Sequence, residues 1–350
     1  MTDARTMLSF SIETETKKGV IEQPVPVPGP GEVLIKMSVV GICGSDIHYY
    51  RSAACGAFQI REAFTPGHEA CGVVEALGDG VTGLEVGQLS AINPSRTCGE
   101  CSHCLDGDNH LCTNNGFMGS ASRFPHSQGM MKEYFLVKQG QCYPVPDETP
   151  VEQLACAEPF SVALHALQRA GNLFGKRVLI VGGGTIGQLA AIGAKLAGAS
   201  FVALSDPTEH ARTVAQQVGV DVSVDSLLPL DQKLDTLGLF DVCLEAAGAE
   251  PALADCIELL KRKGVIVQIG TLPIMQGRAN FNAIMAKELD YRGSFRFHQE
   301  FRHAVELIVS GKVDLSPILS GSYPLSQASK AFDRAVEGGT ATKLTVLAER

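Results

Sequence analysis

The stretch Arg177-Val-Leu-Ile-Val-Gly-Gly-Gly-Thr-Ile-Gly-Gln188 joins a short apolar run to Gly182-x-Gly184-x-x-Gly187. Such a string alone is weak, because 37 of the 350 residues are glycine. Its setting strengthens it. Residues 176–181 read as a buried strand, and 185–196 as a helix that opens on the glycines. A helix start offers free N–H groups and a positive dipole end, which suit a pyrophosphate. Asp206 lies 19 residues beyond Gly187, at the tip of a second apolar run, 201–205. A carboxylate there binds ribose hydroxyls and repels a 2′-phosphate. Gly182, Gly184, Thr185, Ile186, Gly187 and Asp206 thus predict a dinucleotide site that takes NAD ahead of NADP. Arg212 reads as a solvated helix residue, or as one that stacks on adenine and softens the bias against NADP.

Outward from this site the pattern alternates. Helices are expected at 209–218 and 251–260, and buried strands at 241–245 and 265–270. Alternating strand and helix imply crossovers and a doubly wound parallel sheet. Residues 151–170 have helical periodicity throughout. Toward the C-terminus, 300–309 and 326–336 read as helices and 343–347 as an apolar strand. The first 150 residues differ: short strands at 32–40 and 72–77, broken by prolines and glycines, describe a β-rich unit. The fold class expected is mixed α/β.

A chain of 350 residues, 45% hydrophobic and 19% charged, is globular and long enough for two domains. Its net charge of −9 gives no support to nucleic acid or an anionic membrane as partner. No apolar run approaches the roughly 20 residues of a membrane span. The first ten residues carry Asp3 and Arg5 but no apolar core, so no secretory signal is expected and a cytoplasmic protein is.

Four of the eleven cysteines, Cys98, Cys101, Cys104 and Cys112, fall within fifteen residues. Four thiolates on one loop suit a closed, tetrahedral structural zinc with no place for substrate. A second group is dispersed: Cys43 in Gly-Ile-Cys-Gly-Ser-Asp, His68 and Glu69 in Pro-Gly-His-Glu, and Glu158 in Ala-Glu-Pro. One thiolate, one imidazole and one or two carboxylates can hold zinc and leave a position open. Spacing alone does not require it, and His68 by itself reads as a satisfied core histidine.

Gly67-His-Glu-x-x-Gly72-x-Val-x-x-x-Gly78-x-x-Val81 resembles the signature of the zinc-dependent medium-chain alcohol dehydrogenases. Gly-Ile-Cys-Gly-Ser-Asp at 41–46, the four-cysteine lobe, Ala-Glu-Pro at 157–159 and the Rossmann glycines follow in that family's order. The resemblance implies a GroES-like catalytic domain at 1–155 with a structural-zinc lobe at 93–115. A Rossmann domain at 156–297 and a segment at 298–350 returning to the first domain would follow, with the active site in the cleft. Glu158 stands where simple alcohol dehydrogenases carry a cysteine, as in polyol and sugar dehydrogenases. Residues 43–50, 119–126 and 292–298 are similar to a sugar-acid branch of the family, and the complete four-cysteine lobe departs from the animal-type sorbitol enzymes.

By this resemblance the chain binds two zinc ions and NAD, or NADP, and transfers hydride from a secondary hydroxyl of a sugar acid or polyol. Cys43 and His68 hold the catalytic zinc, with Glu69 or Glu158 as third ligand or as holder of a water. Ser45 takes the hydroxyl proton and passes it, through the cofactor ribose, to His48, while Asp46 stabilises the turn. Tyr49, Tyr50, Arg296 and Glu158 are candidates for substrate contact. A substrate carboxylate calls for an arginine fork, Arg296 first, with Arg51 and Arg123 read as surface residues. A homodimer or homotetramer is expected. The rival readings are a sorbitol- or xylitol-type polyol dehydrogenase and, from another class, a non-catalytic nucleotide-binding protein on the same fold.

Overall fold

The computed structural model describes residues 5–273, 277 and 279–349. It divides into two compact units: the residues up to Glu158 with those from Phe301 onward, and Pro159–Glu300.

In the second unit six parallel strands carry the dinucleotide fingerprint. Numbered by their appearance in the chain, they lie in the order three, two, one, four, five, six. Arg177–Val181 is central, flanked by Phe201–Ser205 and Phe240–Glu245. Val222–Val224, Leu260–Gln268 and Asp290–Gly293 complete the sheet. Both faces of the central strands are covered, so Val178, Leu179 and Ile180 have no exposed surface. The strand order reverses between the first and fourth strands, which run parallel, and this opens a crevice at their carboxyl ends. The helices Thr185–Leu196 and Glu209–Gln217 match the sequence pattern closely.

The first unit is built on a seven-stranded sheet whose centre is Glu32–Gly41. That strand pairs antiparallel with Glu69–Leu77, Tyr134–Lys138 and, from the far end of the chain, Lys343–Leu347. The register sets Gly41 opposite both Glu69 and Thr345, beside Cys43. Phe10, Phe64, Phe135 and Phe332 fill the core beneath. A hairpin, Thr6–Ile12 with Lys18–Pro24, has no counterpart in the sequence reading.

One helix differs from its expectation. The periodic stretch 151–170 is two helices, Val151–Ala155 and Ala157–Ala170, separated at Cys156 with φ −75° and ψ 0°. Periodicity sees only which face is apolar, and Leu154, Ala155, Cys156 and Ala157 are all buried.

Candidate active site

The helix Gly44–Ser52 starts at Cys43, whose extended backbone (φ −89°, ψ 158°) makes it the N-cap. Asp46 organises this turn. It is fully buried and accepts the N–H of Cys43 at 3.0 Å and the N–H of Gly67 at 3.1 Å. One carboxylate therefore clamps together two segments that are far apart in sequence. It also stands 3.7 Å from Nδ1 of His68.

His68 is 5% exposed, and among the described residues its Nδ1 has no hydrogen-bond partner. Burial alone would lower its pKa, but the negative charge of Asp46 and then Cys43 raises it well above the ordinary value. Ligand atoms of Cys43, His68 and Glu69 lie within 4.8 Å of one another. One sulfur, one imidazole and one carboxylate gathered this closely, with Asp46 beside Nδ1 of the imidazole, make a donor set that fits a zinc ion.

Glu69 has a second attachment. Its two carboxylate oxygens lie 2.8 and 2.6 Å from Nζ of Lys343, which also donates to the Ile42 carbonyl at 3.0 Å. The sequence reading missed Lys343; a lysine opening an otherwise apolar strand, 343–347, was the available signal. Glu158, 5% exposed in the first turn of Ala157–Ala170, lies outside the 4.8 Å cluster but close enough for its charge to act on His68. Ser45 is half-buried, and His48, one turn on along the same helix face, is exposed.

Tyr49 and Tyr50, expected at the substrate, are both buried and make packing contacts. Tyr50 stacks on Phe332 at 4.7 Å, and its hydroxyl donates to Asp333 at 2.7 Å. Tyr49 packs edge-on to Phe64, and its hydroxyl accepts the N–H of Ala121 at 3.0 Å. A helix has an inner face, and these residues occupy it. Arg123 is exposed and donates to Asn114 at 2.6 Å, and Arg51 is exposed. Arg296 belongs to the second unit, with φ +54° and its guanidinium 4.9 Å from the Phe295 ring.

Cys98, Cys101, Cys104 and Cys112 gather with sulfur separations of 3.9 Å (Cys98–Cys104) and 3.4 Å (Cys98–Cys112). A Zn–S bond of about 2.3 Å gives a tetrahedral edge of about 3.8 Å, so the four thiols fit one ion. Backbone N–H groups of Cys98, Cys101 and Asn114 point at these sulfurs. The N–H groups of Cys104 and then Thr113 pull the Cys101 thiol down to about 6. Desolvation pushes the Cys104 thiol the other way, up to about 12.

In the second unit a cavity of about 470 Å³ opens at the strand ends, lined among others by Gly182, Gly184 and Asp206. Gly182 has φ +105°, and a Cβ there would meet the Ala247 nitrogen at 2.6 Å. A Cβ on Gly187 would run into the Gly182 carbonyl oxygen, so helix and strand approach this closely only through glycine. Gly184 is the N-cap of the helix that Thr185 and Ile186 begin. Asp206 accepts the N–H of Gly183 at 2.7 Å and the N–H and hydroxyl of Thr208 at 2.8 and 2.7 Å. Arg212 donates to the Asp206 carbonyl at 2.8 Å and lies 3.9 Å from Asp225, so it is anchored rather than solvated.

Comparison with known proteins identifies the family. Residues 29–147 match the alcohol dehydrogenase GroES-like domain, and residues 185–310 match the zinc-binding dehydrogenases. An L-idonate 5-dehydrogenase (NAD(P)(+)) of Escherichia coli is 35% identical over 332 residues, 94% of this chain and 95% of that protein. The crystal structure of the E. coli enzyme superposes with a TM-score of 0.92 at 34% identity, covering 98% of each chain. A sorbitol dehydrogenase of Gallus gallus is 32% identical over 90% of this chain and 89% of its own. A putative zinc-binding dehydrogenase of Sinorhizobium meliloti, solved with NADP bound, gives a TM-score of 0.90 at 29% identity, covering 98% of this chain and 99% of its own. With both family domains matched and relatives this similar along nearly its whole length, the chain belongs to the zinc-binding, NAD(P)-dependent dehydrogenases of the alcohol and polyol type.

Proposed function

We propose that the protein oxidises a secondary hydroxyl of a sugar acid or polyol with NAD, and that L-idonate, giving 5-keto-D-gluconate, is its substrate. The observation that carries this reading is the Cys43–His68–Glu69 convergence in a chain 35% identical to an L-idonate 5-dehydrogenase. Cys43 and His68 hold the catalytic zinc, and the third donor comes from Glu69 or Glu158. Glu69 is within reach yet carries Lys343 on both oxygens, whereas Glu158 brings its charge to His68 from the neighbouring helix. A zinc ion there supplies Lewis acidity to the reacting oxygen, and the dinucleotide supplies the hydride acceptor. Ser45 Oγ takes the hydroxyl proton, and exposed His48 delivers it toward solvent. Asp46 orients His68 from behind. The four cysteines of the lobe hold a second, structural zinc.

Arg296 is the proposed partner of a substrate carboxylate. The likeness to a sorbitol dehydrogenase favours a second reading, a polyol dehydrogenase in which that arginine meets hydroxyls only. A panel of L-idonate, D-sorbitol, xylitol and galactitol with NAD, followed by NADH absorbance, separates the two. The Arg296→Ala variant should raise KM for L-idonate far more than for a neutral polyol. Equal effects on both would end the carboxylate role. A homodimer or homotetramer in the cytoplasm is part of the same reading, with sedimentation analysis as its check.

A further inference from the structure

We propose that Asp255, held in place by the buried Lys233, accepts a hydrogen bond from the 6-amino group of adenine at the far end of the dinucleotide cavity. This rests on the dinucleotide reading above and adds a residue that recognises the base.

The cavity dictates the order of groups within it. A pyrophosphate belongs at the start of the helix Thr185–Leu196, and a ribose at Asp206. The base must then lie beyond Asp206, away from Gly182. The cavity that holds Gly182 and Asp206 is otherwise lined largely by apolar residues, Pro207, Leu227, Pro251 and Ala252 among them, which suits the faces of a flat ring. Asp255 is the exception, a carboxylate in this wall with its side chain 17% exposed.

A carboxylate so placed is costly unless paired. Lys233, only 5% exposed, donates to Oδ2 of Asp255 at 2.5 Å and to the carbonyl of Ser226 at 3.1 Å. Ser226 and Leu227 both line the cavity, so the lysine ties the carboxylate and the facing loop together. Among the described residues no hydrogen bond engages Oδ1 of Asp255. An acceptor fixed on one side and open on the other, at the edge of an apolar slot, matches the amine on the edge of adenine.

Calorimetric titration of the zinc-loaded wild-type protein tests this. The ligands are NAD, the analogue with hydrogen in place of the 6-amino group, and the hypoxanthine analogue with a 6-oxo group. The wild type should bind both analogues about tenfold or more weaker than NAD, as expected for losing a hydrogen bond to a charged group. In Asp255→Asn the amide oxygen can stay on Lys233 and present NH2 to the cavity. That variant should lose its preference for NAD over the 6-hydrogen analogue and favour the 6-oxo analogue. Steady-state turnover should show the same ordering in KM. Wild-type affinities equal within about twofold for NAD and the 6-hydrogen analogue would overturn the proposal without any variant. An Asp255→Asn protein that keeps the preference would do so too. A wild type that binds none of the three would instead remove the dinucleotide reading on which this rests.

Discussion

Lys343 and Glu69 form an ion pair, 2.6 and 2.8 Å from Nζ to the two carboxylate oxygens, with neither side chain more than 2% exposed. The residues are 274 positions apart, and they meet because Lys343–Leu347 and Glu69–Leu77 flank the same strand, Glu32–Gly41. The pair therefore joins the end of the chain to the cluster of Cys43 and His68. A carboxylate beside a thiolate would otherwise be poorly tolerated, and the ammonium balances that charge.

Removing the cation should expose the cost. Lys343→Met leaves a buried carboxylate unpaired and is expected to destabilise the protein by about 3–5 kcal/mol, read by urea denaturation. Adding Glu69→Gln should restore most of the loss. A double variant as unstable as the single one would show that the pairing is not the cause.

Asp46 accepts two backbone N–H groups, and an asparagine can accept with only one of its side-chain atoms. Asp46→Asn should therefore loosen Cys43 against His68 and weaken zinc at the catalytic site by about 10–100-fold, measured by competition with a chelator. Unchanged zinc affinity with lowered thermal stability would limit Asp46 to folding.

The cysteine lobe makes a separate prediction. Cys101→Ser should lower the zinc content from two ions to one and admit protease cleavage within 93–115, because the metal supplies that loop's cohesion. Elemental analysis with mapping of the fragments reads both. Two zincs retained in the variant would contradict the assignment.

Acid should weaken the second unit at a defined place. His165 Nδ1 lies 3.1 Å from Glu300, whose other oxygen accepts the N–H of His298 at 2.7 Å. Burial would raise the Glu300 carboxyl, but the His165 and His298 hydrogen bonds outweigh it and draw it from 4.5 to about 2. A carboxyl depressed in the folded state adds stability that is present above pH 4.5 and lost as pH falls toward 2. The contribution is on the order of 2–3 kcal/mol. Stability measured from pH 6 to 3 should fall less steeply in Glu300→Gln, and parallel curves would refute the linkage.

Local spacing made the cofactor half readable. Gly182, Gly184, Gly187 and Asp206 lie within 25 residues, and the bounds of Thr185–Leu196 and Phe201–Ser205 follow from apolar periodicity. The four-cysteine lobe is equally local, since ligands on one loop need only the loop to close on them. Residue chemistry made Cys43, His68, Glu69 and Glu158 possible donors, but only the family resemblance joined them into one set, because spacing alone left His68 a core histidine. What periodicity could not say is which face of Gly44–Ser52 turns inward, and it is the face of Tyr49 and Tyr50. Nor could it find Lys343 or the Lys233–Asp255 pair. The sequence determined the types of chemistry available, because these depend on residue identity and on neighbours along the chain. Only the tertiary structure decided which distant charges are partners, because strand register and burial, not sequence distance, bring a cation to a carboxylate and make the pairing necessary.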